Sequence, residues 1–180
     1  MQEEHQALKE PYSLEIILST ITTQKNNTAK KRLIFDQGPL SGIASKWVIL
    51  FILSLPIMLY AGIFNPVMFE ILGIAQAIIF FVVFLSMVMI IIVVSVFINN
   101  NKVLREVSSS WNTYFPNVDL KLALSSSATP YKDFFKHYNT ALSKNLSGQT
   151  LQEELAENFA TMEVENQALM NAIRANENKR

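Results

Sequence analysis

The stretch that decides the fold runs from Trp47 to Ile98, WVILFILSLPIMLYAGIFNPVMFEILGIAQAIIFFVVFLSMVMIIIVVSVFI. Its only charged side chain is Glu70, and the 55 residues between Lys46 and Lys102 carry no other. A soluble core does not gather its apolar residues into one uninterrupted block of that length. Apolar runs of about 18 residues or more are the signature of membrane spans. The chain therefore reads as an all-α integral membrane protein. One helix through the whole block would be roughly 80 Å long at about 1.5 Å per residue, against a hydrocarbon core of about 30 Å. The block must turn back, and Gly62, Asn65 and Pro66 are its only cluster of helix breakers. Proline lacks the backbone N–H and pushes the residue before it out of the helical region. The expected architecture is a two-span helical hairpin, with spans at about 47–64 and 69–98.

Basic residues near the spans set the orientation. Lys30, Lys31, Arg32 and Lys46 precede the first span, Lys102 and Arg105 follow the second, and the turn has no Lys or Arg. Both termini are expected in the cytoplasm, with the turn barely emerging on the far face. The opening residues, with Glu3 and Glu4 and no apolar run, do not read as a signal peptide. Under this topology the glycosylation triplets Asn26-Asn27-Thr28 and Asn145-Leu146-Ser147 are silent.

Within the membrane block, Pro56 interrupts the first span as a static kink or as a hinge, the kink being the commoner role. Gly73 and Ala77 form a small-xxx-small step suited to close helix packing, with the first span as the nearest partner. Gln76 and Glu70 are its strongly polar side chains, and Glu70 falls at the boundary, where it reaches water or headgroups. A proton or ion path needs polar groups spaced through the bilayer, and the second span has mainly Ser86 and Ser95. One hairpin is not a pore.

The second span is too long for the bilayer. Beyond it Val103, Leu104, Val107, Trp111, Tyr114 and Phe115 recur at three-to-four spacing, opposite Lys102, Arg105 and Glu106. This predicts one helix from about Glu70 to Phe115, extending into the cytoplasm as a stalk; the alternative lays it along the membrane with Trp111 as an anchor. Four regions follow: an N-terminal arm at 1–45, the hairpin at 46–100, a stalk and aromatic helix at 101–147, and an amphipathic tail at 148–180. In the arm, residues 14–21 form a short apolar stretch too brief for a domain. Lys30–Arg32 with Leu33-Ile34-Phe35 reads as a basic-then-apolar segment against headgroups, or simply as a positive flank.

After Pro116, Val118, Leu120, Leu122 and Leu124 alternate with other residues, a strand signal that competes with an irregular segment. Thr129-Pro130 opens a helix bearing Tyr131, Phe134, Phe135, Tyr138 and Leu142 on one face, more a packing stripe than a cofactor site. Thr150-Leu151-Gln152-Glu153 is a capping box, and the helix it starts is expected to reach Glu177. Leu155, Phe159, Met162, Leu169 and Ile173 fit a short coiled-coil-like seam. Asn166 stands at the remaining core position, a device for fixing register. Acidic residues at the start of this helix and Arg174, Lys179 and Arg180 at its end suit the helix dipole. The seam wants a partner: another protein, another copy, or the aromatic face of helix 130–146.

Fifteen basic and fifteen acidic residues cancel, which argues against a nucleic-acid binder. There is no cysteine, and His5 and His137 stand alone, so no metal site, disulfide or thiol chemistry is read. No phosphate loop, carboxylate cluster or nucleophile elbow occurs. No catalytic residue and no cofactor is expected.

The pattern suits a non-enzymatic scaffolding subunit of a multi-protein membrane assembly. Size, absence of cysteine and absence of a signal sequence point to a bacterial inner-membrane machine such as a secretion or conjugation apparatus. Its partners would be other membrane or cytoplasmic subunits, the bilayer and further copies of itself, docked through Leu155, Phe159, Met162, Asn166, Leu169 and Ile173. The alternatives are an oligomeric channel and a membrane-inserted effector or tether.

Overall fold

The computed structural model describes residues 11–177. His5, the opening glutamates, Lys179 and Arg180 lie outside the described residues. The chain is mostly helical and divides into two compact units. One comprises residues 34–102; the other is made from two separated pieces, 11–33 and 103–177. The arm, stalk and tail, expected as separate regions, thus share one unit.

The 34–102 unit is the apolar hairpin. Helix α2 spans Ser45–Ile63, and α3 spans Pro66–Tyr114, its residues to Lys102 belonging to this unit. Both are long and apolar enough to cross a membrane. Nineteen residues give α2 a length of about 28 Å, close to a hydrocarbon core. α2 is continuous through Pro56. The turn hangs on Asn65, whose side-chain amide donates to the Gly62 carbonyl at 2.7 Å and whose Oδ1 accepts the Met68 N–H at 3.0 Å. One side chain therefore satisfies orphan groups at the end of one helix and the start of the next.

The expected uninterrupted second helix is broken at Gly73, where φ is 69° and ψ is 168°. That conformation is open essentially to glycine alone. A Cβ there would meet only the Gln76 Oε1, at 3.5 Å. Gly73 is thus needed for its backbone angles, not for close helix approach. Ala77 is fully buried, so of the expected small-residue pair only Ala77 occupies a packed position. Tyr60 and Phe64 of the first helix cluster with Phe81 of the second, at ring separations of 6.1 and 5.6 Å.

The other unit opens with α1, Leu14–Ile21, capped by Ser13, whose Oγ accepts the Ile16 N–H. A two-stranded antiparallel hairpin follows, β1 at Thr22–Lys25 and β2 at Thr28–Lys31. Asn26 and Asn27 both take positive φ, 50° and 55°. These are the angles of a two-residue turn matched to strand twist, and Asn tolerates them. The all-α expectation missed this hairpin. Beyond Val103, α3 contributes Val103, Val107, Trp111 and, just past its end, Phe115 to the core. Trp111 donates its indole N–H to the Val118 carbonyl at 2.8 Å.

The strand signal at 118–124 resolves as a short helix, α4, at Leu120–Ala123, with the Asp119 carboxylate accepting the Lys121 N–H. Leu120 and Ala123 are buried in it, and Leu124 is buried at its C-cap, so the alternating leucines serve a helical turn. Helix α5 spans Phe134–Ser143, starting after Asp133 instead of at Pro130. The last expected helix is two, α6 at Gly148–Glu165 and α7 at Gln167–Glu177.

Candidate functional site

The expected docking seam on α6 and α7 is divided by the fold. Leu155, Phe159 and Met162 are buried in the unit's own core. Phe159 is its hub: it stacks on Phe134 at 5.5 Å and meets Trp111, Phe115 and Tyr131 edge-on at 6.0, 5.2 and 5.5 Å. Aromatic pairs in these geometries add to simple area burial. The seam's contacts include the aromatic face of helix α5. Leu155, Phe159 and Met162 leave no surface for an outside protein. Asn166 caps α6 at its C-terminus, where its amide donates to the carbonyls of Pro130 at 3.1 Å and Met162 at 2.9 Å. It sits at the joint between helices, which is why one long heptad helix does not form. Leu169 and Ile173 are half-buried, and Val164 is exposed.

A cleft of about 490 Å³ opens where α1, β1, α5 and the start of α6 meet. Leu18, Leu142, Leu146 and Leu151 line it together with Glu15, Gln24, Arg32 and Tyr138. Its polar groups are engaged within the chain. Gln24 donates to the Tyr138 hydroxyl at 2.6 Å, Arg32 Nε to the Thr22 carbonyl at 2.7 Å, and the Gly148 N–H to Glu15 at 3.0 Å. The last contact supplies a carboxylate at the N-terminus of α6, where no local side chain caps the helix. Burial raises the Tyr138 pKa above its usual value, with the hydrogen bond from Gln24 acting the other way. The Tyr131 hydroxyl donates to Glu163 at 2.6 Å. Burial first, and then that hydrogen bond and the negative charge of Glu163, push its pKa strongly upward.

Neither tyrosine is a poised base; both are held neutral and serve packing. Among the described residues no group of three His, Cys, Asp or Glu side chains could hold a metal. His137 is half-buried on α5.

In the hairpin unit the notable polar feature is a clasp between the segment before α2 and the Asn99-Asn100 pair of α3. Asn100 Oδ1 accepts the Phe35 N–H at 2.8 Å, and Asn99 donates to the Phe35 carbonyl at 3.0 Å. Gln37 donates to Asn99 Oδ1 at 2.6 Å. Asp36 accepts the N–H groups of Gly38 and Ser45, both at 2.9 Å. The clasp fixes where the approach to the first apolar helix meets the end of the second apolar run. Sequence reading passed over it, although three consecutive asparagines directly after an apolar run were a visible signal.

The lipid-length faces of this unit stay uncovered by the protein. None of the most apolar window of α2 and 6% of that of α3 is buried. Such surface is costly in water and favourable in hydrocarbon. No protein-family model, curated protein or solved structure matches the chain.

Proposed function

We propose that the protein is a non-enzymatic structural subunit of a multi-protein membrane assembly, anchored by the 34–102 hairpin, with its second unit in the cytoplasm. A bacterial inner-membrane secretion or conjugation machine is the leading kind of assembly. The observation that carries this reading is the way the hairpin interrupts the other unit. Residues 11–33 and 103–177 fold together, although the uncovered apolar helices lie between them in sequence. A chain that leaves a folded unit, enters the bilayer and returns to the same unit has crossed an even number of times. Two helices of spanning length meet that requirement, and the basic flanks support a cytoplasmic location. The close internal pairing of the polar groups in the cleft supports a structural role over catalysis.

The partner-facing surface is assigned to α7 and the end of α6, through Leu169, Ile173 and Val164. Leu155, Phe159 and Met162 hold that surface in place from beneath. The test is native mass and composition of particles extracted in mild detergent, for the natural protein and for Leu169→Asp with Val164→Asp. The reading predicts a particle containing other proteins in fixed ratio, lost in the double variant while the folded unit stays intact. A homogeneous ring of this chain alone would replace it with the channel, and a monomer with the tether.

A further inference from the structure

The β1–β2 hairpin has two unlike faces. In its register Thr23 pairs with Lys30, and Lys25 pairs with Thr28. Side chains alternate across a strand, so these four share one face. All four are exposed. On the opposite face Ala29 is buried and Gln24 is bonded to Tyr138, while Asn139 of α5 accepts the Ala29 N–H at 2.6 Å. The outward face is therefore polar and basic, held rigidly by the packed one. From Ile16 to Phe35 there are four cations, Lys25, Lys30, Lys31 and Arg32, and no carboxylate. Immediately after them comes Leu33, 83% exposed, the most exposed large apolar side chain among the described residues.

An exposed leucine that follows a cationic run in the chain is poor chemistry for nucleic acid, which offers phosphates but no hydrocarbon at its surface. It is poor chemistry for water as well. An anionic bilayer surface presents both phosphate and, a few ångströms beneath it, hydrocarbon. The charge of the same unit is also divided. Helix α6 carries Glu153, Glu154, Glu157, Glu163 and Glu165 and no cation of its own, in contrast to the carboxylate-free β-hairpin.

Resting on the membrane reading given above, we propose that the Lys25/Lys30 face with Leu33 is a docking surface for anionic phospholipid headgroups. Leu33 inserts to the level of the acyl boundary, and the lysines lie among the phosphates. Each basic residue near such a surface multiplies binding by about fivefold, so the two lysines together account for about thirtyfold. The attraction weakens as salt shortens the range of the interaction.

The sequence has no cysteine, so single spin labels at Leu33→Cys, Val83→Cys and Val164→Cys report three places cleanly. The probes are proteoliposomes of phosphatidylcholine alone and of phosphatidylcholine with one-third phosphatidylglycerol. Label collision with oxygen, which partitions into lipid, is compared with collision with a water-soluble nickel chelate. The expected result is a Leu33 label shielded from the chelate only in the anionic vesicles, and released by Lys25→Gln with Lys30→Gln or by high salt. The Val164 label stays water-exposed throughout. A Leu33 label as accessible as Val164 in both vesicles overturns the proposal. So does a label equally shielded in neutral vesicles, which would mean a protein or a second copy covers it. The Val83 label keeps the two readings apart: if it too meets the chelate, it is the membrane anchor that fails.

Discussion

The two units use the same kinds of side chain in opposite ways. In the folded unit Trp111, Tyr131, Phe134, Tyr138 and Phe159 are at most 2% exposed. In the hairpin, Phe51, Phe80, Phe84 and Phe97 are between 41% and 68% exposed. Apolar content alone does not distinguish an interior from an anchor; what each ring touches does. The folded unit closes its aromatics on one another around Phe159, as a protein does in water. The hairpin turns them outward, as a protein does when its solvent is hydrocarbon. Its two apolar segments meet through the Tyr60, Phe64 and Phe81 rings, and Ala77 is buried.

The sharpest way to break this contrast is to remove a ring from each side. Phe159→Ala should destabilise the folded unit by about 3–5 kcal/mol, the usual range for emptying an aromatic core site. Phe84→Ala should change it by less than about 0.5 kcal/mol. Thermal unfolding in detergent, followed by near-ultraviolet circular dichroism, measures both. Equal effects would erase the distinction between the units. A smaller effect is expected from the clasp. Asn100→Ala removes the acceptor of the Phe35 N–H, at a cost of about 1–2 kcal/mol, and should speed exchange of that amide on the order of tenfold. Exchange at the Phe159 amide should not change.

Alkaline pH probes the folded unit through Tyr131. The pKa of Tyr131 is raised in the fold above its unfolded value of about 10. Its neutral form is thus favoured in the native state, so its contribution is fully present below that pH and declines as pH rises through and beyond it. Tyr131→Phe should therefore flatten the loss of stability above pH 10 relative to the natural protein. A parallel decline in both would show that this hydroxyl is not coupled to folding. The smallest effect lies at the β-turn. Asn27→Gly should gain less than about 1 kcal/mol, because glycine takes the positive φ at no steric cost. Asn27→Ala should lose about 1 kcal/mol.

The same contrast explains what was legible in the sequence. The hairpin was plain because its signal is local: a long apolar run broken once, at Asn65-Pro66. The break at Gly73 was not, because a lone glycine in such a run reads equally well as a packing residue. In the folded unit the aromatic stripe of α5 and the apolar face of the Val103–Tyr114 part of α3 were visible. The pairing of α5 with the Phe159 seam is one of three that the sequence leaves open, whereas the contact between Phe159 and Trp111, 48 positions apart in the chain, carries no sequence signal. The seam on α6 leaves three coverings open in the sequence, another protein, another copy or the aromatic helix that follows Pro130, because heptad spacing records that a face is apolar and not what covers it. Asn26-Asn27 was noticed only as part of a glycosylation triplet. Its left-handed angles, the stronger message, emerge only when two short strands are placed beside it. The polar clasp escaped because its hydrogen bonds run to main-chain groups, which every sequence carries.

The split construction of the folded unit has a consequence in time. Residues 11–33 are synthesised first, and the 69 residues of 34–102 follow before Val103 is made. At about 5–20 residues per second the early piece waits roughly 3–14 s for the rest of its core. During that interval Leu14, Ile17, Leu18 and Ile21 have no Val107 or Leu155 with which to share burial, so the core is completed only after the whole hairpin has been made. A hairpin that crossed the bilayer once would strand the two pieces on opposite faces, and the unit could not close. On the membrane reading proposed above, closure of the unit is a built-in check on topology: only a chain that returns to the face it left brings its two pieces together.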